Sequence, residues 1–150
     1  MRVSLFVSCL VDQLWPAVGV SSVKLLRDHG LEVEFDERQT CCGQPAFNTG
    51  YRDEAREVAS CFLDTVGRTA CEAIVVPSGS CAAMIHHLPE LFEGEQRERA
   101  QQVAANTFEL STFLGNHASG TGASEGSRCC FRSPRREATV GVVFISAKFS

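Results

Sequence analysis

The sequence predicts an α/β fold, a parallel sheet flanked by helices and organised like half of a doubly wound domain. Three short β-rich runs, 3–7, 31–35 and 73–76, are separated by segments long enough to hold a helix. Strands joined in this way run parallel, because a crossover helix returns the chain to the same end of the sheet. The first run is apolar almost throughout, which is typical of a strand covered on both faces.

The first crossover is expected to be a helix over 15–29, with Pro16 in its first turn, where a missing N–H costs nothing. Gly30 ends it, and the second strand, 31–35, follows. That strand alternates apolar residues with Glu32 and Glu34, so one face is wet and an edge position is expected. The residues expected on the buried face of the helix are Val18, Ser22, Leu25, Leu26 and His29.

A second crossover helix is predicted over 51–66 from a single apolar stripe. The third strand, 73–76, is closed by Pro77, and a short helix from Cys81 to Leu88 follows with Ser80 as its N-cap. A last helix is predicted over 95–114. The stripe of the second crossover consists of Tyr51, Ala55, Val58, Ala59, Phe62 and Val66.

The chain is interpreted as one domain over 1–114 with a tail of different character. Residues 115–138 are rich in Gly, Ser and Arg without apolar periodicity, which is typical of a linker or disordered segment. Residues 139–150 contain one more possible strand, 140–145.

Composition excludes several classes of protein. With 150 residues and 44% hydrophobic content, the chain is large enough for a buried core. The net charge of −4 argues against general nucleic-acid binding. No apolar run approaches the roughly 20 residues of a membrane span, and the N-terminus lacks the pattern of an export signal. Eight cysteines in such a chain indicate reduced, metal-binding or redox thiols in a cytoplasmic protein.

Four cysteines carry the candidate site. Cys9, the vicinal pair Cys41-Cys42 and Cys81 each come shortly after one of the predicted strands. Because parallel strands all end on the same side of a sheet, we expect these four thiols to meet at one edge. Four converging thiols are the expected layout of a soft-metal site, and Gly43 permits close backbone approach beside the pair.

The remaining candidates are assigned to ordinary roles. Cys61 and Cys71 are interpreted as structural, and Cys129-Cys130 as a chance pair in the tail. His86 and His87 offer mixed Cys/His ligation of zinc, but they lie more than a turn beyond Cys81. Asp36-Glu37 is assigned to a solvated loop.

Three runs of sequence resemble the lactate-utilisation members of the cysteine-rich CCG-domain family, to which a heterodisulfide reductase component also belongs. They are SLFVSCLVDQLWPAVG (4–19), TCCGQPAFNTGYRDEAR (40–56) and IVVPSGSCAAMIHH (74–87). The resemblance covers about residues 2–114. It implies an electron-transfer subunit with an iron–sulfur cluster of the 4Fe-4S type as its cofactor. Such a subunit would work in a cytoplasmic complex that oxidises L-lactate to pyruvate, with other iron–sulfur subunits as partners.

Carried over residue by residue, the resemblance makes Cys9, Cys41, Cys42 and Cys81 the cluster ligands. Two departures accompany it: Ser78 stands where one form of the motif has a further cysteine, and the resemblance stops near the start of a second cysteine-rich half. The expectation is therefore a chain truncated to its first half. Two alternatives stay open, a zinc-binding or thiol–disulfide redox protein and a non-catalytic remnant that docks partner subunits.

Overall fold

The computed structural model describes residues 1–67 and 71–118, and it is an α/β layer built on a four-stranded parallel sheet. The strands are β1 (Arg2–Leu5), β2 (Glu32–Glu34), β3 (Ala73–Val76) and β4 (Thr107–Glu109). The helices are α1 (Cys9–Leu14), α2 (Pro16–Asp28), α3 (Gln44–Asn48), α4 (Arg52–Val66), α5 (Gly79–His87), α6 (Gly94–Ala105) and α7 (Leu110–Ala118), with a 3-10 helix at Leu88–Leu91.

The strand order β2-β1-β3-β4 confirms the predicted parallel sheet and places β2 at an edge. Arg2 of β1 pairs with both acidic side chains of that edge strand, Glu32 at 3.5 Å and Glu34 at 3.3 Å. These pairs lie in water and contribute little to stability. The alternation of β2 therefore reflects its edge position, as predicted.

Alternate side chains of the central strands enter two separate cores on the two faces of the sheet. The α4 core is formed by Phe6 and residues of α4, α5, α6 and the 3-10 helix. Within it, Phe6 meets Phe62 edge to face, with ring centroids 4.8 Å apart. The α2 core lies on the other face, where Val3, Leu26 and Phe113 pack together.

The long helix predicted over 95–114 is wrong. Helix α6 ends at Ala105, and the chain then forms β4 before α7 begins. β4 pairs with β3, and the Ile74 N–H donates to the Asn106 carbonyl at 2.8 Å. Pairing with β3 outweighs the helical pattern, because it satisfies backbone groups that β3 would otherwise leave open at the sheet edge.

The loop containing Cys9 and the start of the next helix also differ from the prediction. Residues Cys9–Leu14 form a helix of their own, with the Ser8 hydroxyl accepting from the Val11 N–H at 3.4 Å. Trp15 then interrupts the helix, because the residue before a proline avoids the helical conformation, and Pro16 opens α2 as predicted. The buried residues of α2 are Gly19, Ser22 and Leu26, whereas Val18 and Leu25 are exposed, contrary to expectation.

Two further element boundaries, the start of α5 and the end of α7, differ from the prediction. Helix α5 begins at Gly79 with Ser78 at the N-cap position, so Ser80 is not its N-cap. Helix α7 extends to Ala118, four residues into the segment interpreted as a linker. The rest of that segment and the possible strand at 140–145 lie outside the described residues. In the described part of the chain, no helix combines the length and apolar character needed to cross a membrane.

Candidate metal centre

The four predicted cysteines lie where three parallel strands end. Cys9 is the first residue of α1 and follows β1, and Cys81 lies in the first turn of α5 and follows β3. Cys41 and Cys42 follow β2 through a short loop and precede Gly43, at the start of α3. We call this set of four residues the cysteine edge.

Cys9 and Cys41 form one close pair of thiols. Their Sγ atoms are 3.3 Å apart, and both side chains are half-buried. Burial raises the pKa of Cys9 to about 11, and the hydrogen bond and charge of Cys41, with the charge of Cys81, act in the same direction. In the absence of a bound cation, Cys9 is therefore a neutral thiol at neutral pH.

Cys42 and Cys81 form the second pair, deeper in the α4 core. Both are buried, with 1% and 5% of their surface exposed. The Cys42 thiol donates a hydrogen bond to Cys81 and lowers the pKa of Cys81 to about 6, against the opposing effect of burial. The same hydrogen bond, with burial, raises the pKa of Cys42. These opposite shifts favour the thiolate at Cys81 over the thiolate at Cys42.

Three serine hydroxyls surround the Cys81 sulfur and further lower its pKa: those of Ser78, Ser8 and Ser80. Ser8 caps α1, and the Ser78 and Ser80 oxygens are 3.4 Å apart at the start of α5. The sequence interpretation missed these hydroxyls as partners of Cys81 and gave Ser80 only the role of an N-cap. A signal was present, because each serine lies within three residues of a cysteine of the edge.

Gly43 lets the chain turn between the vicinal cysteines and α3. Its φ is +85°, a conformation that side chains with a Cβ rarely adopt. A Cβ at this position would lie 3.2 Å from the carbonyl oxygen of Ala55 in α4. Both properties confine the position to glycine and hold Cys42 against the α4 core.

The other sequence candidates lie outside these two pairs. Cys61 is exposed on α4, and the Cys71 thiol donates to Glu34 Oε2 at 3.3 Å. His87 contacts Glu90 at 2.9 Å, and burial lowers the pKa of His86. Asp36 forms an ion pair with Arg38 at 2.6 Å. Cys129 and Cys130 lie outside the described residues.

The donor set fits a soft metal group. Four thiols, one of them already stabilised as a thiolate, are the ligands that iron–sulfur clusters use. Among the residues that the structure describes, no three His, Cys, Asp or Glu side chains are grouped as ligands of a single metal ion. Four cysteines at one edge of the sheet are consistent with a bound metal ion or an iron–sulfur cluster.

Comparison with known proteins identifies the family. The family model described as CCG, cysteine-rich domain, matches residues 3–86, which include all four cysteines of the edge. No solved structure matches the chain significantly.

Curated relatives share the name Lactate utilization protein A. The protein from Halalkalibacterium halodurans is 50% identical over 118 residues, covering 77% of this chain and 48% of the relative. That from Exiguobacterium sp. is 47% identical over 115 residues, 75% of this chain and 47% of the relative. The chain spans about half the length of these relatives. The cysteines, their placement at the sheet edge and the family match together show that the chain belongs to the CCG cysteine-rich domain family.

Proposed function

We propose that this chain is an iron–sulfur electron-transfer subunit that works in a cytoplasmic complex oxidising L-lactate to pyruvate. The observation that supports this proposal is the placement of four cysteines after the ends of three strands, arranged as the pairs Cys9–Cys41 and Cys42–Cys81. The names of the relatives support lactate as the source of electrons. Partner subunits would then hold the substrate and the remaining redox centres.

Cys9, Cys41, Cys42 and Cys81 would hold the cluster, which we assign to the 4Fe-4S type. When bound, such a cluster supplies one-electron redox chemistry. The chain's own contribution is to keep water away from the buried pair and to stabilise negative charge at Cys81 through the hydroxyls of Ser8, Ser78 and Ser80. Hydrogen bonds to cluster sulfurs are one of the means by which proteins set a reduction potential.

Anaerobic reconstitution with iron and sulfide tests the proposal. We expect bound iron and acid-labile sulfide, thiolate-to-iron absorbance in the visible range, and an EPR signal in one redox state. Cys42→Ser and Cys81→Ser should lose the absorbance, whereas the matched control Cys61→Ser, on the exposed face of α4, should keep it. Bound zinc without sulfide, or an unchanged spectrum in Cys42→Ser, would contradict the cluster.

A thiol–disulfide redox protein is the second candidate, and the 3.3 Å contact between the Cys9 and Cys41 sulfurs favours it. The vicinal cysteines Cys41 and Cys42 have different partners in the structure, Cys9 and Cys81. In this function Cys9 and Cys41 would give two electrons and two protons to a disulfide substrate and form a disulfide themselves. Protein purified without air, with its thiols reduced, that reduces a model disulfide and binds no iron under reconstitution would favour this candidate.

An apolar surface next to the cysteine edge supports docking of partner subunits. Leu10 and Leu14 lie one turn apart on α1, and both are more than half exposed, as is Trp15. Exposed apolar side chains grouped in this way are typical of interaction sites. Leu10→Glu with Leu14→Glu should abolish association with the iron–sulfur subunits of the complex and leave iron binding unchanged. Undiminished association would exclude this surface.

A further inference from the structure

The pairing between β2 and β1 ends before the end of β1. The last paired residues are Ser4 and Glu34, and the chain then turns away through Asp36, whose carbonyl accepts from the Gln39 N–H at 3.1 Å. Among the residues that the structure describes, no strand therefore pairs with the backbone beyond Ser4 on this side. On the other side, the Phe6 N–H donates to the Val75 carbonyl of β3 at 2.9 Å.

The side chain of Gln39 lies beside β1 where the next residue of a longer β2 would lie. Its Nε2 donates to the Leu5 carbonyl at 2.5 Å, and its Oε1 accepts from the Val7 N–H at 2.8 Å. In a parallel ladder, one residue bonds in this same way to the two residues that flank its partner. The amide of Gln39 thus replaces a peptide group opposite Phe6 and continues the ladder by one step.

These two bonds join the loops that carry one thiol pair. Gln39 is two residues before Cys41, and Val7 is two residues before Cys9. We propose that Gln39 is a positioning residue that sets the separation of the Cys9 and Cys41 sulfurs. The purpose of this positioning rests on the proposed function, because a preorganised pair of thiols binds a metal group with less loss of entropy. The geometry itself is a property of the protein without the cluster.

Exchange with glutathione measures the positioning directly, without iron. Two thiols and one oxidised glutathione give the Cys9–Cys41 disulfide and two reduced glutathiones, so the equilibrium constant reports how well the two sulfurs are held together. Mass spectrometry of the linked peptides quantifies this disulfide separately from any other. Gln39→Leu keeps the size of the side chain and removes both hydrogen bonds, so we expect the constant to fall about tenfold.

Three further variants separate positioning from general stability. Gln39→Glu keeps the acceptor for the Val7 N–H and loses the donor to the Leu5 carbonyl, so it should also lower the constant. Gln101→Leu makes the same exchange on the exposed surface of α6 and should leave the constant unchanged. Val103→Ala removes buried volume from the α4 core through α6, so it should lower the unfolding free energy and not the constant.

An unchanged constant in Gln39→Leu, or an equal fall in Val103→Ala, would overturn the positioning role. The proposed function fails by a different result, which is wild-type protein that takes up no iron and sulfide. The two results are independent, because the glutathione equilibrium is measured without iron.

Discussion

Gly43 and Gly50 lie on either side of α3, and both have a positive φ, +85° and +88°. They differ in their surroundings, because a Cβ on Gly50 would meet nothing within 4 Å, whereas one on Gly43 would press on the Ala55 carbonyl oxygen at 3.2 Å. The two positions therefore separate the effect of backbone conformation from that of crowding.

Gly50→Ala should lower the unfolding free energy by about 1–2 kcal/mol, which is the usual penalty for a Cβ in the left-handed conformation. Gly43→Ala should lower it by more, since α3 must also move away from α4. Urea unfolding of both variants measures the difference. Equal losses of unfolding free energy in the two variants would mean that α3 can shift to accommodate a Cβ at Gly43. Close packing would then not restrict that position.

The placement of the four cysteines after the strand ends could be predicted from the sequence, but their pairing could not. Strand periodicity places all four, Cys9, Cys41, Cys42 and Cys81, shortly after strand ends, and topology then places those ends on one side. Which sulfur meets which depends on side-chain directions in the loops, and no local pattern encodes these. The same holds for the bonds of Gln39, which join residues more than thirty positions apart.

At the scale of elements, strong apolar periodicity predicted the position of a helix well. In one place, pairing with a neighbouring strand outweighed a helical pattern. Helix α4 runs from Arg52 to Val66, within one residue of the prediction, but Tyr51 of the predicted stripe precedes the helix and is 62% exposed. β4 was missed because its three residues continue an acceptable helical pattern between α6 and α7. A short strand is determined by the neighbour it pairs with more than by its own residues.

Helix α7 matters to the fold because it covers one face of the sheet. Phe113 is 6% exposed and packs in the α2 core, with its ring centroid 5.9 Å from that of Phe108. Phe113→Ala should lower the unfolding free energy by about 3–5 kcal/mol, since a large buried ring is lost and a cavity remains. Urea unfolding measures this loss.

The matched control is Phe35→Ala, because Phe35 is 52% exposed after β2. Its loss should change the unfolding free energy by no more than about 0.5 kcal/mol. A small effect of Phe113→Ala would show that α7 does not hold the sheet and that the domain is complete at β4.

At the scale of the whole molecule, the sheet separates two cores that make independent contributions to stability. Val3 lies in the α2 core and Val103 in the α4 core. Val3→Ala and Val103→Ala should each lower the unfolding free energy by about 2 kcal/mol. The double variant should equal their sum within about 0.5 kcal/mol, because distant sites without shared partners are additive.

Denaturant titration of the wild type, the two single variants and the double variant tests this additivity. A coupling energy well above that limit would mean that the sheet transmits a shift from one face to the other.

The parallel sheet flanked by helices was predictable from the sequence, because apolar runs and crossover lengths determine it. The division between the two cores was not, since it depends on which helix returns over which face.

The strand order also sets a sequence of events during synthesis. β1 and β2 are neighbours, so a growing chain that has reached Cys42 already contains both strands and the Gln39 side chain that brings Cys9 to Cys41. Cys42 can meet its own partner only after Cys81 has been made, beyond the end of β3, which pairs with β1. Each nascent chain therefore passes through a stage in which both members of one thiol pair have been made and the partner of Cys42 has not. Any factor that protects these thiols or delivers iron during translation meets this half-formed edge first.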